Sequence, residues 1–304
     1  MDYLREDFKK KVSQQCRVKA FTEFFFREWR KAMAGESIGL TASSSEQSTV
    51  PITNSPIVKL VSPPDSFDCL TQISTMWLAA HHVDPIAIQK TLTIEQMRSM
   101  IWDEVIPIPA WQTVLECVRF TFVIHNMSRP AQQQLTRQRL GVGFNNNSLR
   151  IIKLETFADD DRYRTPPGLN EEQHNLYHSA IDRSQEDYEE LLKAGVSQES
   201  ARGVLPQNIH SPTLTMFSDL RALRGFISKR LCYEAQDEMN EFAVSLKREV
   251  DEWDHWFGGL LSFPCSRDKE CVIGPGAAER CPLPYEWKGG ANKGVVITSH
   301  KEIR

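Results

Sequence analysis

The sequence has no apolar run long enough to span a bilayer, no Cys-x-x-Cys pair, no internal repeat and no excess of positive charge. The first absence removes a membrane-spanning helix, which needs about 20 consecutive apolar residues. The net charge of −4 argues against general nucleic-acid binding, which draws on a basic surface. The arginines are dispersed and no aromatic side chains are interleaved with them, which also disfavours a single-strand-binding module. Anionic ligands must therefore be held by local arginine clusters. Residues 1–12 lack the uninterrupted apolar core of a secretory signal, so a cytoplasmic location is expected, in a cell or a phage-infected host. Of the seven cysteines, Cys16, Cys69, Cys117 and Cys232 sit in apolar or helical contexts and read as small core residues. Cys265, Cys271 and Cys281 cluster in a loop-like tail, but no fourth ligand is evident and no metal is expected. A reducing compartment disfavours disulfides.

What is present is ordinary for a soluble globular protein. The 304 residues are 40% apolar and 25% charged, enough for a sizeable core and one to two domains. Three regions are expected. Residues 1–55 hold a basic amphipathic helix (3–33) and a Ser/Thr-rich linker. Residues 56–258 form the main domain, and 259–304 a cysteine-containing tail. The helix at 3–33 could touch a membrane surface, but packing against the body or a sister subunit is favoured.

Within the main domain, strands are expected at 58–61, 118–125 and 149–155. In the second, Val118, Phe120, Phe122 and Ile124 alternate with Arg119, Thr121 and His125. Helices are expected over 66–81, over 94–116 with a break at the prolines 107 and 109, and from Ser128-Arg129-Pro130 onward. That last helix should carry Gln134 and Arg137 on one face. Further helices are expected from Asn170-Glu171-Glu172 to Gly195, after Ser197, over 214–232, and over 234–257. In the 214–232 segment, Phe217, Leu220, Leu223, Ile227 and Leu231 are assigned to the buried side. Helices outnumber strands without regular alternation. The fold class is α+β, with a small, mainly antiparallel sheet packed with long helices.

Three segments carry arginines in comparable settings. The first is Arg137-Gln138-Arg139, followed by a turn rich in Gly and Asn, then Ser148 and Arg150. The second places Arg202 on a one-turn helix before Pro206, and the third carries Arg221, Arg224 and Arg230. Guanidinium groups suit phosphates and carbonyl edges because their donors form a rigid fork. Glycine and small polar residues let a ligand approach the backbone closely.

In order and approximate spacing, these segments resemble the motifs of the flavin-dependent thymidylate synthases. The likeness covers residues 56–250 approximately, and Phe120-Thr121-Phe122 with Glu116 upstream adds to it. The resemblance implies a homotetramer with sites shared between subunits. It implies flavin adenine dinucleotide (FAD) as cofactor, methylenetetrahydrofolate and NADPH as co-substrates, and deoxyuridine monophosphate (dUMP) as acceptor. Carried over by position, Gln134, Arg137, Asn147, Ser148, Arg150, Arg202 and Arg230 would bind the nucleotide. Arg137, Ser148 and Arg230 would be closest to the chemistry. Thr113, Glu116, Gln138, Arg139 and Arg221 would line the flavin. Arg221 and Arg230 are nine positions apart, hence on opposite sides of a regular helix, where one helix could serve two sites.

Several positions depart from the family pattern. Gln138 replaces a histidine, the turn is one residue longer, and its acidic residue is lost within Asn145-Asn146-Asn147. Ile151 replaces a tyrosine and Asp219 an asparagine. An amide pairs with either pyrimidine edge. Two alternatives therefore stand beside dTMP formation: a flavin- and folate-dependent hydroxymethylase acting on dUMP or the cytosine nucleotide (dCMP), and a non-catalytic nucleotide-binding paralogue.

Overall fold

The computed structural model describes residues 55–61, 63–146, 156–158, 162–211, 213–232 and 235–261. The expectations for residues 1–54, for the 149–155 strand and for the cysteine tail lie outside the described residues. So do Asn147, Ser148 and Arg150.

Four strands form one antiparallel sheet: β1 (Ile57–Val61), β2 (Arg119–His125), β3 (Val142–Asn146) and β4 (Leu214–Asp219), in the order β1-β2-β4-β3. The α+β assignment with a small antiparallel sheet holds. In β2, Phe120, Phe122 and Ile124 are buried, as their alternation requires. They line up with Ser218, Met216 and Leu214 of β4, whose side chains are also buried.

Two expectations are corrected here. The segment 142–146, read as part of a Gly/Asn turn, is strand β3. The turn itself is confined to residues before it, with Gly141 at φ +69°, a conformation that favours glycine. Val142 and Phe144 then face the core alongside Ser218 and Met216. Residues 214–219, read as the start of a helix, form β4. Their period is two: Leu214, Met216 and Ser218 point inward. Phe217 consequently lies on the outer face, 54% exposed, and is not a core residue. It covers Gly143 across the strand pair, where a Cβ would fall 1.9 Å from the ring.

The helices largely match expectation. α1 (Ser66–Ala79) starts at Asp65, whose carboxylate accepts from the Asp68 N–H. α2 (Pro85–Gln89) is a short helix that periodicity did not reveal. α3 (Ile94–Met100) passes into a π-helical turn, Ile101–Val105, and ends before the prolines. A 3-10 turn, Trp111–Cys117, leads into β2. α4 (Arg129–Leu135) is capped by Ser128. α5 (Glu171–Lys193) has a full capping box between Asn170 and Gln173, and Gly195 closes it at φ +84°. α6 (Gln198–Ala201) runs into a 3-10 turn, Arg202–Val204. α7 (Leu220–Arg230), α8 (Asp237–Trp253) and α9 (His255–Leu260) complete the order.

The main core joins the sheet to α1, α3, α7, α8 and α9, with Phe122, Leu223, Phe242, Leu246 and Phe257 at its centre. Cys69 belongs to it, and burial raises its thiol pKa to about 12, so it is an inert core residue. A second cluster packs Phe157, Tyr163, Ile181, Tyr188 and Ile209 around α5 and α6. Among the described residues, no helix is long and apolar enough to cross a membrane. No group of three or more His, Cys, Asp or Glu among them could hold a metal ion.

Candidate active site

The strand register gathers one part of the site at a single end of the sheet. Arg119, which opens β2, lies opposite Asp219, which closes β4. The Asp219 N–H donates to the Gly141 carbonyl at 2.9 Å, tying the turn before β3 to the start of α7. Asp219 also caps α7: its carboxylate accepts from the Ala222 N–H at 2.7 Å. Gly141 is required by this approach, since a Cβ there would fall 2.2 Å from Asp219 Oδ2.

Glu116, at the end of the 3-10 turn, accepts from Arg221 Nη1 at 2.6 Å. Its side chain is 50% exposed and that of Arg221 39%, so the pair contributes only about 0–1 kcal/mol to stability. Asp219 lies in the same electrostatic neighbourhood. Burial raises its pKa, and Glu116 pushes the same way. The Ala222 N–H, Arg119 and Arg221 oppose the shift. Thr113, one turn before Glu116, is exposed and its hydroxyl donates to the Ala110 carbonyl at 3.3 Å.

Arg137, Gln138 and Arg139 occupy the connection between α4 and β3. Arg137 was expected on the helix face of Gln134, but α4 ends at Leu135 and Thr136 is its cap. The chain tightens there, with the Arg137 N–H reaching the Gln134 carbonyl at 3.4 Å, because it must turn into β3. Arg137 and Arg139 are exposed, and their guanidinium groups make no hydrogen bond or ion pair with the described residues. Gln134 donates its amide to the Gln236 side chain just before α8. Arg230 ends α7 with its guanidinium 6.0 Å from the Phe226 ring centroid.

Thr113, Glu116, Gln138, Arg139 and Arg221 thus belong to segments that meet around Gly141 and Asp219. Gln134 and Arg230 lie on segments that meet at the start of α8. Arg202 is separate within the chain. Its Nε donates to the Glu199 carbonyl of its own turn at 3.1 Å, and no described hydrogen bond or ion pair joins it to the other candidates.

Sequence reasoning passed over a buried carboxylate. Glu238 is 3% exposed and accepts from both the backbone N–H and the hydroxyl of Ser128, at 2.6 and 2.5 Å. It also passed over Arg164, which forks onto Glu241 with both bonds at 2.8 Å. Burial alone would lower the Arg164 pKa, and the bonded Glu241 more than offsets it. Glu241 falls where an amphipathic pattern places solvent and Glu238 borders the apolar stripe, and periodicity gave no sign that either has a distant partner.

A family profile described as thymidylate synthase complementing protein matches residues 79–254. A flavin-dependent thymidylate synthase of Sulfurisphaera tokodaii is 32% identical over 164 residues, 53% of this chain and 61% of that protein. One from Thermococcus onnurineus is 33% identical over 145 residues, 46% of this chain and 57% of that protein. The matches thus span about three-fifths of these relatives' length, 61% and 57%. Among solved structures, the flavin-dependent thymidylate synthase of Helicobacter pylori, complexed with FAD and dUMP, aligns with a TM-score of 0.54 and 18% identity. That alignment covers 68% of this chain and 100% of that one. A UMP/dUMP methylase from Streptomyces cacaoi, bound with 5-bromo-dUMP, gives 0.54 and 19%, over 67% and 94%. These likenesses carry the fold. The sheet, the arginine-bearing segments and the profile together place the chain in the thymidylate synthase complementing protein family.

Proposed function

We propose that the protein is a flavin-dependent enzyme that transfers a one-carbon unit from methylenetetrahydrofolate to C5 of dUMP, giving dTMP, with NADPH as reductant. The observation that supports this best is the bond between Asp219 and Gly141. It brings the chain after Arg139 beside the start of the helix that carries Arg221, which supports a boundary between the groups proposed for the nucleotide and those proposed for the flavin.

The donor set suits FAD: Thr113, Gln138, Arg139 and Arg221 offer hydroxyl, amide and guanidinium groups, with Glu116 as an acceptor. FAD, when bound, supplies the redox chemistry that links the nicotinamide to the transferred carbon. The chain's own residues bind and polarise. Arg137, Arg202 and Arg230 would hold the phosphate and the pyrimidine carbonyls of the nucleotide, with Gln134, Asn147, Ser148 and Arg150 completing the set. Fixed positive groups at the carbonyls stabilise negative charge on the ring as C5 becomes nucleophilic. In the balanced reaction C5 would take the methylene carbon and lose its proton, the carbon's bonds to the folate nitrogens would break to release tetrahydrofolate, and a hydride equivalent from NADPH would complete the methyl group. Gln138 can donate hydrogen bonds but brings no charge where the family has histidine.

The homotetramer with shared sites is carried over from the family resemblance, and the placement of Arg221 and Arg230 at opposite ends and sides of α7 is in keeping with it. One helix would then serve two sites, and Arg202 would reach a site from a neighbouring subunit. A second reading, hydroxymethylation of dUMP or dCMP, draws on the exposed amides of Asn145 and Asn146 at the end of β3. The likeness to a UMP/dUMP methylase is in keeping with altered nucleotide choice.

The test is incubation with dUMP or dCMP, methylenetetrahydrofolate and NADPH, followed by mass analysis of the nucleotide. dTMP from dUMP alone is the expected outcome. A hydroxymethylated product, or conversion of dCMP, would support the second reading against the first. Unaltered nucleotide with no bound flavin would leave the non-catalytic paralogue.

A further inference from the structure

We infer that Glu238 is a positioning residue for nucleotide binding, acting through Ser128 to set the helix that carries Gln134 and leads into Arg137. The inference rests on the proposed nucleotide role of those two residues.

A carboxylate at 3% exposure is costly unless its oxygens are bonded. Here both are used on one residue: Oε1 accepts from the Ser128 N–H and Oε2 from the Ser128 hydroxyl. The same hydroxyl accepts from the Ala131 N–H at 3.4 Å as the cap of α4. Glu238 therefore binds the N-terminus of α4, where a negative charge is also favoured by the helix dipole. It does so across 110 positions of sequence.

The other end of α4 is held from the same place. Gln236 takes the amide of Gln134. From α8, buried Asn240 donates to the Arg230 carbonyl at 3.0 Å, fixing the end of α7. The start of α8 thus sets Gln134, Arg230 and, through the last turn of α4, Arg137. Among the bonds from this start, the Glu238 pair is the one with both partners buried and a full charge on one side. Hydrogen bonds to charged groups are the stronger kind. Ser128 and Glu238 do not themselves need to touch the nucleotide. Their effect is to remove freedom from the helix that does.

The experiment uses flavin-loaded full-length protein and titrates dUMP into wild type, Ser128→Ala, Ser128→Thr and Glu238→Gln, well below each melting temperature. Ser128→Ala loses the hydroxyl donor but keeps the backbone bond. Ser128→Thr keeps both. Glu238→Gln keeps the shape and loses the charge. The expected result is a dissociation constant for dUMP raised about tenfold in Ser128→Ala and in Glu238→Gln, as loss of a charge-assisted bond implies, and restored in Ser128→Thr. A melting temperature that falls while every folded variant binds dUMP within about twofold of wild type, too little for such a bond, would overturn the inference and leave Glu238 a structural residue. If Glu238→Gln does not fold, the alanine and threonine variants decide in the same way. Wild-type protein that binds no dUMP would instead overturn the functional reading, and the positioning role with it.

Discussion

Asp219 performs several tasks with its side chain and its backbone. It caps α7, tethers Gly141 through its backbone, and adds a carboxyl beside Glu116. Its pKa is raised in the fold, so the native state holds its proton more tightly than the unfolded chain does. The stabilising effect of that proton is full below the ordinary value of 3.8 and is lost as pH rises through the folded value. Asp219→Asn keeps an equally good capping oxygen and removes the ionisation. Thermal melts should therefore show the variant gaining on wild type at pH 7 and losing that advantage toward pH 4, and the opposite trend would refute the assignment. Gly141→Ala would need a left-handed alanine pressed against Asp219. A loss of about 1–3 kcal/mol in denaturant unfolding is expected. Arg221→Ala should cost less than about 1 kcal/mol in stability, because its partner is exposed. It should nevertheless weaken FAD binding by about tenfold or more in a fluorescence titration, since a charged donor to the ligand is lost. Such exposed arginines were legible from sequence because their type and spacing have little to do with packing. Glu238 was not, because a buried carboxylate is recognised only through its distant partner.

At the scale of elements, capping chemistry was the most readable signal. Ser128, Asn170 and Ser197 each cap the helix their sequence announces. Asn170→Ala removes one half of a capping box on α5 and should lower stability by about 1 kcal/mol, with dUMP affinity unchanged. A change in that affinity would mean that α5 communicates with the site. The strands β3 and β4 were less readable. Each is short, and in β4 Leu214, Phe217 and Leu220 recur at a helical spacing while Leu214, Met216 and Ser218 alternate. Pairing of β4 with β2, and of β3 with β4, decides the matter, and both pairings are non-local. The edge strand β3 is specified by what faces it: Gly143 leaves room for the exposed ring of Phe217.

For the whole molecule, the α+β class and the run of helices followed from periodicity, whereas the division of the interior did not. The main core and the α5–α6 cluster are joined by polar links. Arg164 bonds Glu241, and Ser211 bonds the Met127 carbonyl with its N–H and Gln132 with its hydroxyl. Such links have no one-dimensional signature. Phe242 sits fully buried in the main core, edge-on to Phe226 at 5.8 Å, and Phe242→Ala should cost about 3–5 kcal/mol in unfolding experiments. The placement of Arg221 and Arg230 on opposite sides of α7 is in keeping with the central proposal, that each active site joins the flavin-side Arg221 of one subunit to the nucleotide-side Arg230 of another. Co-expression of Arg221→Ala with Arg230→Ala subunits, assayed at an FAD concentration low enough to leave each parent with little activity, tests it most directly. Recovery of dTMP formation in the purified mixed assembly is predicted, because one class of hybrid site regains both arginines. Mixed assemblies as inactive as either parent, beside an active wild type, would contradict it.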